Sequence, residues 1–377
     1  MTSFIPTRAD GLARLSDFMP MMGRSYALGR NTDRGPGRQD VSILSPYLRR
    51  RLVTEAETVA AALAAHGELS EAFTTQIIWR GYFKGWLEQH PSVWGDYRAL
   101  VREGENQLAT AGGLRRVYHD ATEGRTGIDC FDHWARELAA TGWLHNHARM
   151  WFASIWIFTL RLPWALGAAF FLRHLLDGDP ASNTLSWRWV AGLHTKGKHY
   201  VARADNIARF TEGRFNPAGQ LDEVPECLTE TRDHPLVRLA SGGVMPSGAF
   251  ALLLHDEDLC PASVHPRLLE ANTVAVFGST PAGPGVAAFG AEALDDMIMR
   301  LQRPVIRLHP DDVAGWVRTQ GQPVVTPWAA VGTNAAILDG LDVVRVRRQW
   351  DSAIWPHATK GFFQLRRLLP GLLSEAA

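Results

Sequence analysis

Polar side chains that could hold a ligand are concentrated in one aromatic-rich stretch, residues 141–200. Its tryptophans are Trp143, Trp151, Trp156, Trp164, Trp187 and Trp189. Its charged and amide residues with the most suggestive spacing are Asn146, Arg149, Asp177, Asp179 and Asn183. Tryptophan buries a large apolar surface, whereas carboxylates and guanidinium groups are costly inside a protein unless they pair or hold a ligand. The combination predicts a buried polar site walled by aromatic rings.

The order of these residues resembles the flavin-binding core of the photolyase/cryptochrome superfamily. Three segments carry the resemblance: TGWLHNHARM, LLDGDPASN and SWRWVAG. Several spaced motifs in one order form a more specific signal than a single short pattern. The resemblance implies bound FAD, with Asn146 contacting the flavin and Arg149 paired with Asp177 beneath the flavin ring. It also implies that Asp177 and Asp179 lie near the pyrimidine and ribose edges of the cofactor.

The resemblance further implies catalytic roles for Asn183, Trp187 and Trp164. Asn183 falls where the family places the residue that faces flavin N5, and photolyases usually carry Asn there, whereas plant cryptochromes usually carry Asp. Trp187 and Trp164 match the inner and middle members of the tryptophan chain that photoreduces the flavin. Core packing is the alternative interpretation of both indoles. The outer member has no matching Trp near residues 108–118, where Tyr118 is one alternative end.

A second set of candidate cofactor residues lies in the segment SILSPYL, residues 42–48. In the family, Ser hydroxyls and backbone amides at this helix start bind the FAD phosphates, which implies that Ser42, Leu44 and Ser45 contact the cofactor. A helix N-terminus suits an anion because its first N–H groups lack partners. Ser45 before a proline also fits an ordinary helix cap that starts a helix ending at Gly67. Tyr26 resembles the family's FAD-binding tyrosine.

Residues 70–90 repeat apolar side chains at helical spacing and predict a helix. Photolyases carry an acid followed by W-R here, and the acid touches the damaged base pair while the Trp stacks on the lesion. This sequence has Trp79 and Arg80, but Gln76 stands in place of the acid. The resemblance implies that Gln76 and Trp79 bind substrate and that Arg80 binds the cofactor. Because an amide neither supplies nor takes a proton at ordinary pH, Gln76 departs from the repair pattern.

The chain of 377 residues is longer than one core usually supports, which predicts two domains. Its 46% apolar and 21% charged residues are ordinary for a globular protein. The apolar run 150–172 is nearly long enough to cross a membrane. Arg161 and Pro163 interrupt it and instead favour two core helices that meet near residues 160–164. We expect no membrane association.

Charge and cysteine content narrow the classes of partner and cofactor. Zero net charge gives no global basic field, although the local basic segment 194–209 suits a DNA backbone or a solvated face. Cys130, Cys227 and Cys260 are scattered, which predicts reduced thiols in the cytoplasm and no four-cysteine iron–sulfur site. The N-terminus lacks the apolar segment of a secretory signal. We expect no bound metal.

The chain changes character after Pro217, where a Gly-, Pro- and acid-rich stretch predicts a linker through roughly Gly243. Short apolar runs then alternate with helical patterns, which predicts a parallel sheet covered by helices. We therefore expect a mostly α-helical FAD-binding domain at 1–230 and a smaller α/β domain at 244–377. The predicted strands are 250–254, 273–277, 304–308, 324–326 and 343–346. Before the linker, residues 19–38 suggest a loop, and residues 91–125 show no sustained periodicity of apolar side chains.

The family's α/β domain precedes its flavin domain and binds an antenna chromophore, so the second half resembles a circularly permuted antenna domain. The loop 278–285 is either a chromophore loop or a plain turn. The resulting hypothesis is an FAD-dependent lyase of the deoxyribodipyrimidine photolyase type that repairs pyrimidine lesions in DNA. The alternative is a cryptochrome-like blue-light receptor that binds FAD and signals to a partner without repair. The sequence leaves open the lesion type, the antenna chromophore and the oligomeric state.

Overall fold

The computed structural model describes residues 4–278 and 283–368. A mostly helical N-terminal region is followed by a region built on a five-stranded parallel sheet, which confirms the predicted fold class. Of the candidate chromophore loop, residues 279–282 lie outside the described residues.

The N-terminal region consists of helices joined by short connections. They are α1 (Arg8–Phe18), α2 (Arg24–Gly29), α3 (Ser45–Arg49), α4 (Glu55–His66), α5 (Glu71–Gln89), α6 (Ser92–Thr110), α7 (Gly112–Thr122), α8 (Asp129–Thr141), α9 (Asn146–Ser154), α10 (Trp164–His174), α11 (Pro180–Ala191) and α12 (Ala204–Phe210). A π-helical turn, Ile155–Thr159, extends α9. The run 150–172 thus forms two helices separated at residues 160–163, as predicted. None of the helices in the described ranges is long and apolar enough to span a membrane.

The single helix predicted between Ser45 and Gly67 is wrong, because the structure has two helices there. Leu44, rather than Ser45, occupies the N-cap position of α3. The chain leaves helical geometry at Arg51, whose φ of 52° is left-handed and whose guanidinium is buried among carboxylates. Thr54 then starts α4 with a capping box. The predicted end is correct, since Gly67 caps α4 with a φ of 54°.

Two stretches that lacked a predicted element are helical. Helix α2 lies inside the expected loop 19–38, and α6 and α7 cover most of 91–125. Helix α6 buries only Val93, Tyr97 and Gly104, so its other faces are polar or partly exposed. A narrow apolar stripe of this kind is hard to distinguish from a loop by composition.

The C-terminal sheet has the order β3-β2-β1-β4-β5, and every pairing is parallel. Its strands are β1 (Ala251–His255), β2 (Thr273–Phe277), β3 (Ile306–Leu308), β4 (Val324–Pro327) and β5 (Val344–Val346), at the predicted positions. The accompanying helices are α13 (Pro284–Leu301), α14 (Val313–Thr319), α15 (Thr333–Ile337), α16 (Gln349–Ile354) and α17 (Phe362–Arg366). Strand β1 is buried along its whole length, as in sheets covered on both faces.

The chain forms two compact units that are discontinuous in sequence. Among described residues, unit 1 contains 25–41 and 92–235, and unit 2 contains 4–24, 42–91 and the chain from Leu236 onward. Unit 1 therefore holds helices α6 to α12. Unit 2 holds α1, α3, α4 and α5 together with the sheet region. The domain boundaries at residues 230 and 244 stay predictions.

Unit 2 contains a buried ionic cluster, here called the Arg51 cluster, formed by Arg51, Glu55, Asp258, Arg348 and Asp351. Arg51 binds both carboxylate oxygens of Asp351, at 2.8 and 2.6 Å, and one oxygen of Asp258 at 3.1 Å. Although burial alone would raise it, the pKa of Asp258 is lowered to about 2 by Arg348 and Arg51. The cluster joins the helix break at Arg51 to the segments that follow β1 and β5.

Candidate functional site

The first candidate group in unit 1 is an ion pair between α9 and the DGD turn. The Arg149 guanidinium donates to both carboxylate oxygens of Asp177, at 3.1 and 2.8 Å, and its Nε donates to the Leu144 carbonyl at 3.0 Å. Asp177 is 5% exposed. A bidentate pair fixes the plane of the guanidinium as well as its position. The pairing implied by the sequence is therefore confirmed.

Trp143 lies beside two cations of unit 1. The guanidinium carbons of Arg38 and Arg149 are 4.6 and 6.0 Å from its ring centroid. Arg38 also pairs with Glu137 at 2.5 Å. The indole and its flanking guanidinium groups hold one another in place through cation–π attraction. Asn146, the first residue of α9, is exposed.

Helix α11 presents the other candidate polar residues of unit 1. Asp179 is its N-cap and accepts the Ser182 backbone N–H at 2.9 Å, so this carboxylate stabilises the helix start. Asn183, one turn further on, is buried. Its Nδ2 donates to the Ala168 carbonyl at 2.9 Å, which fixes the orientation of the amide and leaves Oδ1 as an uncharged acceptor.

His145 directly precedes Asn146 and is buried to 1% exposure. Burial lowers the pKa of His145 to about 4, against the opposing effect of the Asp33 carboxylate. Its Nδ1 accepts the His147 backbone N–H at 3.2 Å, so the neutral ring carries its proton on Nε2. Nε2 is buried as well. His145 is therefore neutral near pH 7.

The candidate electron-transfer tryptophans of unit 1 have different neighbours. The ring partners of Trp187 are Phe171 at 5.1 Å, Trp156 at 6.2 Å and Phe152 at 6.5 Å between centroids. Trp164 instead neighbours Tyr97 at 5.8 Å. Among described residues, the ring contacts of Trp187 do not include Trp164. The two indoles that the sequence predicted as successive members therefore belong to separate ring contacts.

In unit 2, helix α5 carries Gln76, Trp79 and Arg80. One face of Trp79 is stacked on Phe362 of α17, with centroids 3.6 Å apart and planes inclined by 12°. Arg80 Nε and Nη2 are buried and lack a hydrogen-bond partner among the residues that the structure covers. Gln76 is half-buried one turn before Arg80, on the same helix. One of the two faces of the Trp79 ring is therefore covered by a side chain of the protein itself.

The remaining candidate cofactor residues lie in two places. In unit 2, the Leu44 N–H donates to Ser42 Oγ at 3.4 Å, and Ser45 opens the short helix α3. In unit 1, Tyr26 on α2 is 8% exposed and its ring lies 6.0 Å from the Arg30 guanidinium carbon. Burial raises the pKa of Tyr26, so its phenol is a neutral donor at physiological pH.

The structure thus brings Arg149, Asp177 and Trp143 into one cluster and places Asn183 and Trp187 on the same helix. Sequence reasoning did not single out the buried His145 or the contact of Trp156 with Trp187. His145 stands inside the motif TGWLHNHARM, where the polarity of its neighbours was the available signal. Trp156 stands in an apolar run, where no local signal separates it from core packing.

Comparison with known proteins identifies one matching family. Residues 73–224 match the model described as the FAD binding domain of DNA photolyase. The chain is 35% identical over 201 residues to deoxyribodipyrimidine photo-lyase of Streptomyces griseus, an alignment that covers 48% of this chain and 43% of that protein. It is 32% identical over 261 residues to the Synechococcus sp. enzyme of the same name, covering 64% of this chain and 49% of that one.

Solved structures give a partial superposition. A bacterial class III photolyase from Agrobacterium tumefaciens aligns with a TM-score of 0.43 and 27% sequence identity, covering 54% of this chain and 44% of that chain. The chain spans about half the length of the curated relatives that it matches.

Proposed function

This chain belongs to the photolyase/cryptochrome family, and from that membership we propose that it binds FAD and repairs pyrimidine lesions in DNA by light-driven electron transfer. The observation that carries the proposal is the bidentate pair of Arg149 and Asp177, which lies within the residues that match the FAD-binding domain. The reaction type is that of a deoxyribodipyrimidine photolyase, and damaged DNA is the proposed partner.

Unused buried donors on Arg80 support a polar ligand at this residue of unit 2. Its Nε and Nη2 are buried, and neither nitrogen has a hydrogen-bond partner in the described ranges. A buried donor without a partner costs about 1–3 kcal/mol, which acceptor atoms of a bound ligand offset. FAD offers such acceptors in its ring carbonyls, ring nitrogens and phosphates. The residues therefore fit the group that the family binds.

The proposed FAD residues follow the family motifs. Those in unit 1 are Tyr26, Asn146, Arg149, Asp177, Asp179 and Asn183, and those in unit 2 are Ser42, Leu44, Ser45 and Arg80. Asn183 also belongs to the proposed catalytic residues, with Trp187 and Trp164. We leave the antenna chromophore unassigned.

Bound FAD supplies light absorption and one-electron chemistry. The chain's own residues supply orientation and charge. Asp177 fixes the Arg149 cation in one plane, and the Ala168 carbonyl fixes the Asn183 amide. Gln76 can hydrogen-bond a pyrimidine edge but cannot transfer a proton.

A second candidate is a blue-light receptor that binds FAD and signals to a protein partner. The stacking of Phe362 on Trp79 favours it, because the ring expected to meet a flipped base is already covered on one face. Gln76 also favours the receptor, because it replaces the acid of the repair pattern.

One assay separates the two candidates. Purified, chemically reduced protein is incubated with UV-damaged single-stranded oligonucleotide in blue light and in darkness, and the products are resolved. Lesions reverted only in the light support repair. Intact lesions, with a bound-flavin absorption spectrum, refute repair and favour the receptor. Protein without flavin refutes both candidates.

Location and domain organisation complete the proposal. Cys130, Cys227 and Cys260 are free thiols, which is usual for cytoplasmic proteins, and we propose that location. We keep 1–230 and 244–377 as the proposed extents of the helical and the α/β region, without proposing that either one folds alone.

A further inference from the structure

We infer that unit 1 carries a further ligand site, which binds an aromatic molecule with a single positive charge. The site is a cleft, here called the strap cleft, between residues 157–164 and the extended segment 222–228. The inference does not rest on the proposed function, because none of the residues that line the cleft is among the proposed FAD residues.

The strap cleft lies wholly within unit 1 and has a volume of about 710 Å³. Small-molecule sites in proteins usually measure about 300–1,000 Å³. Its walls come from residues 157–164, which connect α9 to α10, and from segment 222–228, with Gln107 of α6 and Leu114 of α7. The cleft is therefore large enough for a ligand of several fused rings.

Segment 222–228 contains neither helix nor strand, yet backbone contacts at both of its ends attach it to the rest of unit 1. The Asp222 N–H donates to Thr159 Oγ1 at 3.2 Å. The Leu228 N–H donates to the Ala191 carbonyl at 3.0 Å. Because the segment is fixed at both ends, the cleft is preformed, and a ligand does not have to order this wall when it binds.

Most of the lining of the strap cleft is apolar, and part of it is aromatic. Phe158 and Trp164 contribute rings from one wall, and Leu228 contributes an aliphatic side chain from the other. Val224, on the same segment as Leu228, is 92% exposed. Apolar and aromatic side chains with a few polar groups are the usual lining of a small-molecule site. This lining favours a ligand with an aromatic body.

The charged residues of the lining determine the charge of the ligand. They are Arg161, Asp222 and Glu226. Arg161 Nη2 lies 3.6 Å from Asp222 Oδ2, so these two charges offset each other. Glu226 has no ion-pair partner among the residues that the structure describes. One negative charge therefore lies uncompensated in a cleft that also contains aromatic rings. Both features attract a cation, because the face of an aromatic ring is electrostatically negative.

Three probes that share one ring system test the site by isothermal titration calorimetry of the full chain in darkness. N-methylacridinium carries a permanent positive charge, acridine is uncharged at mildly alkaline pH, and acridine-9-carboxylate is an anion. We expect the cation to bind the wild-type protein most tightly and the anion most weakly. Since the three rings are alike, differences in affinity report the charge preference of the cleft.

A pair of valine substitutions locates the bound probe. Val224→Lys introduces a cation into the lining at a side chain that is almost fully exposed, and it should abolish binding of N-methylacridinium. Val244→Lys is the matched control, because Val244 is 87% exposed and belongs to unit 2. This control should bind the probe as the wild type does.

A pair of acidic residues tests the charge directly. Glu226→Gln keeps the shape of the side chain and should weaken binding of N-methylacridinium roughly two- to fivefold, with acridine unaffected. Asp233→Asn is the matched control, because Asp233 is an exposed acid further along the same extended chain, where it pairs with Lys196. Its removal should change the affinity for neither probe.

Equal binding of N-methylacridinium by wild type and Val224→Lys would place the probe outside the cleft and overturn the site. A preference for the anion, or equal losses in Glu226→Gln and Asp233→Asn, would overturn the assigned charge. Absence of binding with all three probes would overturn the inference as a whole. None of these measurements uses light or a flavin signal, so a failure here is distinct from a failure of the proposed function.

Discussion

At the scale of single residues, the pair of Arg149 and Asp177 decides whether the candidate site is preformed. The carboxylate holds both guanidinium nitrogens and is nearly inaccessible to water. In such a pair the removal of one charge leaves the other without compensation. The pair is therefore both a structural contact and the source of a fixed cation in the proposed FAD site.

Asp177→Asn tests this pair. We expect the free energy of unfolding to fall by about 2 kcal/mol. This is less than the full cost of an unpaired buried charge, because the Arg149 side chain is partly exposed to solvent. Flavin retention should fall as well. Urea denaturation and the flavin absorbance of purified protein measure the two effects. Asp120→Asn, which removes an exposed partner of Arg125, should change stability by less than about 1 kcal/mol. Equal effects of the two substitutions would contradict the role of Asp177.

Glu88 on α5 is a carboxyl group of unit 2 whose pKa is raised toward neutral pH. Burial raises the pKa of Glu88 from 4.5 to about 7, although the Val331 N–H, at 2.7 Å from Oε1, favours the ionised form. The folded protein therefore holds a proton that the unfolded chain releases. Between these pKa values, stability falls as pH rises, and above about 7 the folded state bears the full cost of the buried charge.

Glu88→Gln should remove this dependence. Gln keeps an acceptor for the Val331 N–H and carries no charge, so the variant should gain stability relative to wild type as pH rises from about 4.5 to 8. The gain should reach roughly 3 kcal/mol. Denaturation at several pH values measures it, with Glu68→Gln as an exposed control on the same unit. A stability difference that does not change with pH would refute the assignment.

At the scale of elements, the short helix α17 controls access to one face of α5. Phe362 is 3% exposed and lies flat on Trp79, whereas the next residue, Phe363, is 69% exposed. Arg366 of the same helix pairs with Glu71 at 2.6 Å. The helix therefore presents one buried ring to Trp79 and one ring to solvent.

Phe362→Ala should uncover the Trp79 face. If Trp79 stacks on a flipped base, the variant should bind UV-damaged oligonucleotide more tightly than wild type, because stacking on a free aromatic face contributes about 1–3 kcal/mol per base. Fluorescence anisotropy of a labelled oligonucleotide measures the change. Phe363→Ala removes an adjacent ring that does not cover Trp79 and should leave affinity unchanged. Tighter binding by both variants, or by neither, would speak against Trp79 as a base platform.

Some elements could be predicted from the sequence, and others could not. The strands were predictable because each is a short, mostly apolar run bounded by turn residues, and β1 is one example. The break at Arg51 was not predictable, because it depends on ion pairs with Asp258 and Asp351, which are more than two hundred residues away. Likewise, Arg149 and Asp177 follow from motif spacing, whereas the contact of Phe362 with Trp79 depends on tertiary packing alone.

At the scale of the whole molecule, unit 2 is assembled from segments that alternate in sequence with those of unit 1. The Arg51 cluster joins these segments through buried charges, because Arg51 pairs with Asp258 and Asp351, which lie 207 and 300 residues further along the chain. The sheet region alone would leave Asp258 and Asp351 without Arg51. A boundary near residue 244 therefore separates charges that the folded unit pairs.

We expect the fragment 244–377 to lack a cooperative unfolding transition by circular dichroism, because it lacks the Arg51 side of the cluster. In the full chain, Arg51→Met should cost roughly 3–5 kcal/mol, the effect of breaking a buried pair. Arg125→Met, at an exposed pair with Asp120, should cost less than about 1 kcal/mol. A fragment that melts sharply would instead support 244–377 as an independent domain.

The link between Arg51 and Asp351 also sets an order of events during synthesis. The two residues are 300 positions apart. At translation rates of about 5–20 residues per second, Asp351 is added to the chain roughly 15–60 s after Arg51. During that time the helices of residues 42–91 exist without the sheet region they pack with. Nascent chains of this protein are therefore exposed to chaperones and proteases at their N-terminal segment first, and a slower ribosome lengthens that exposure.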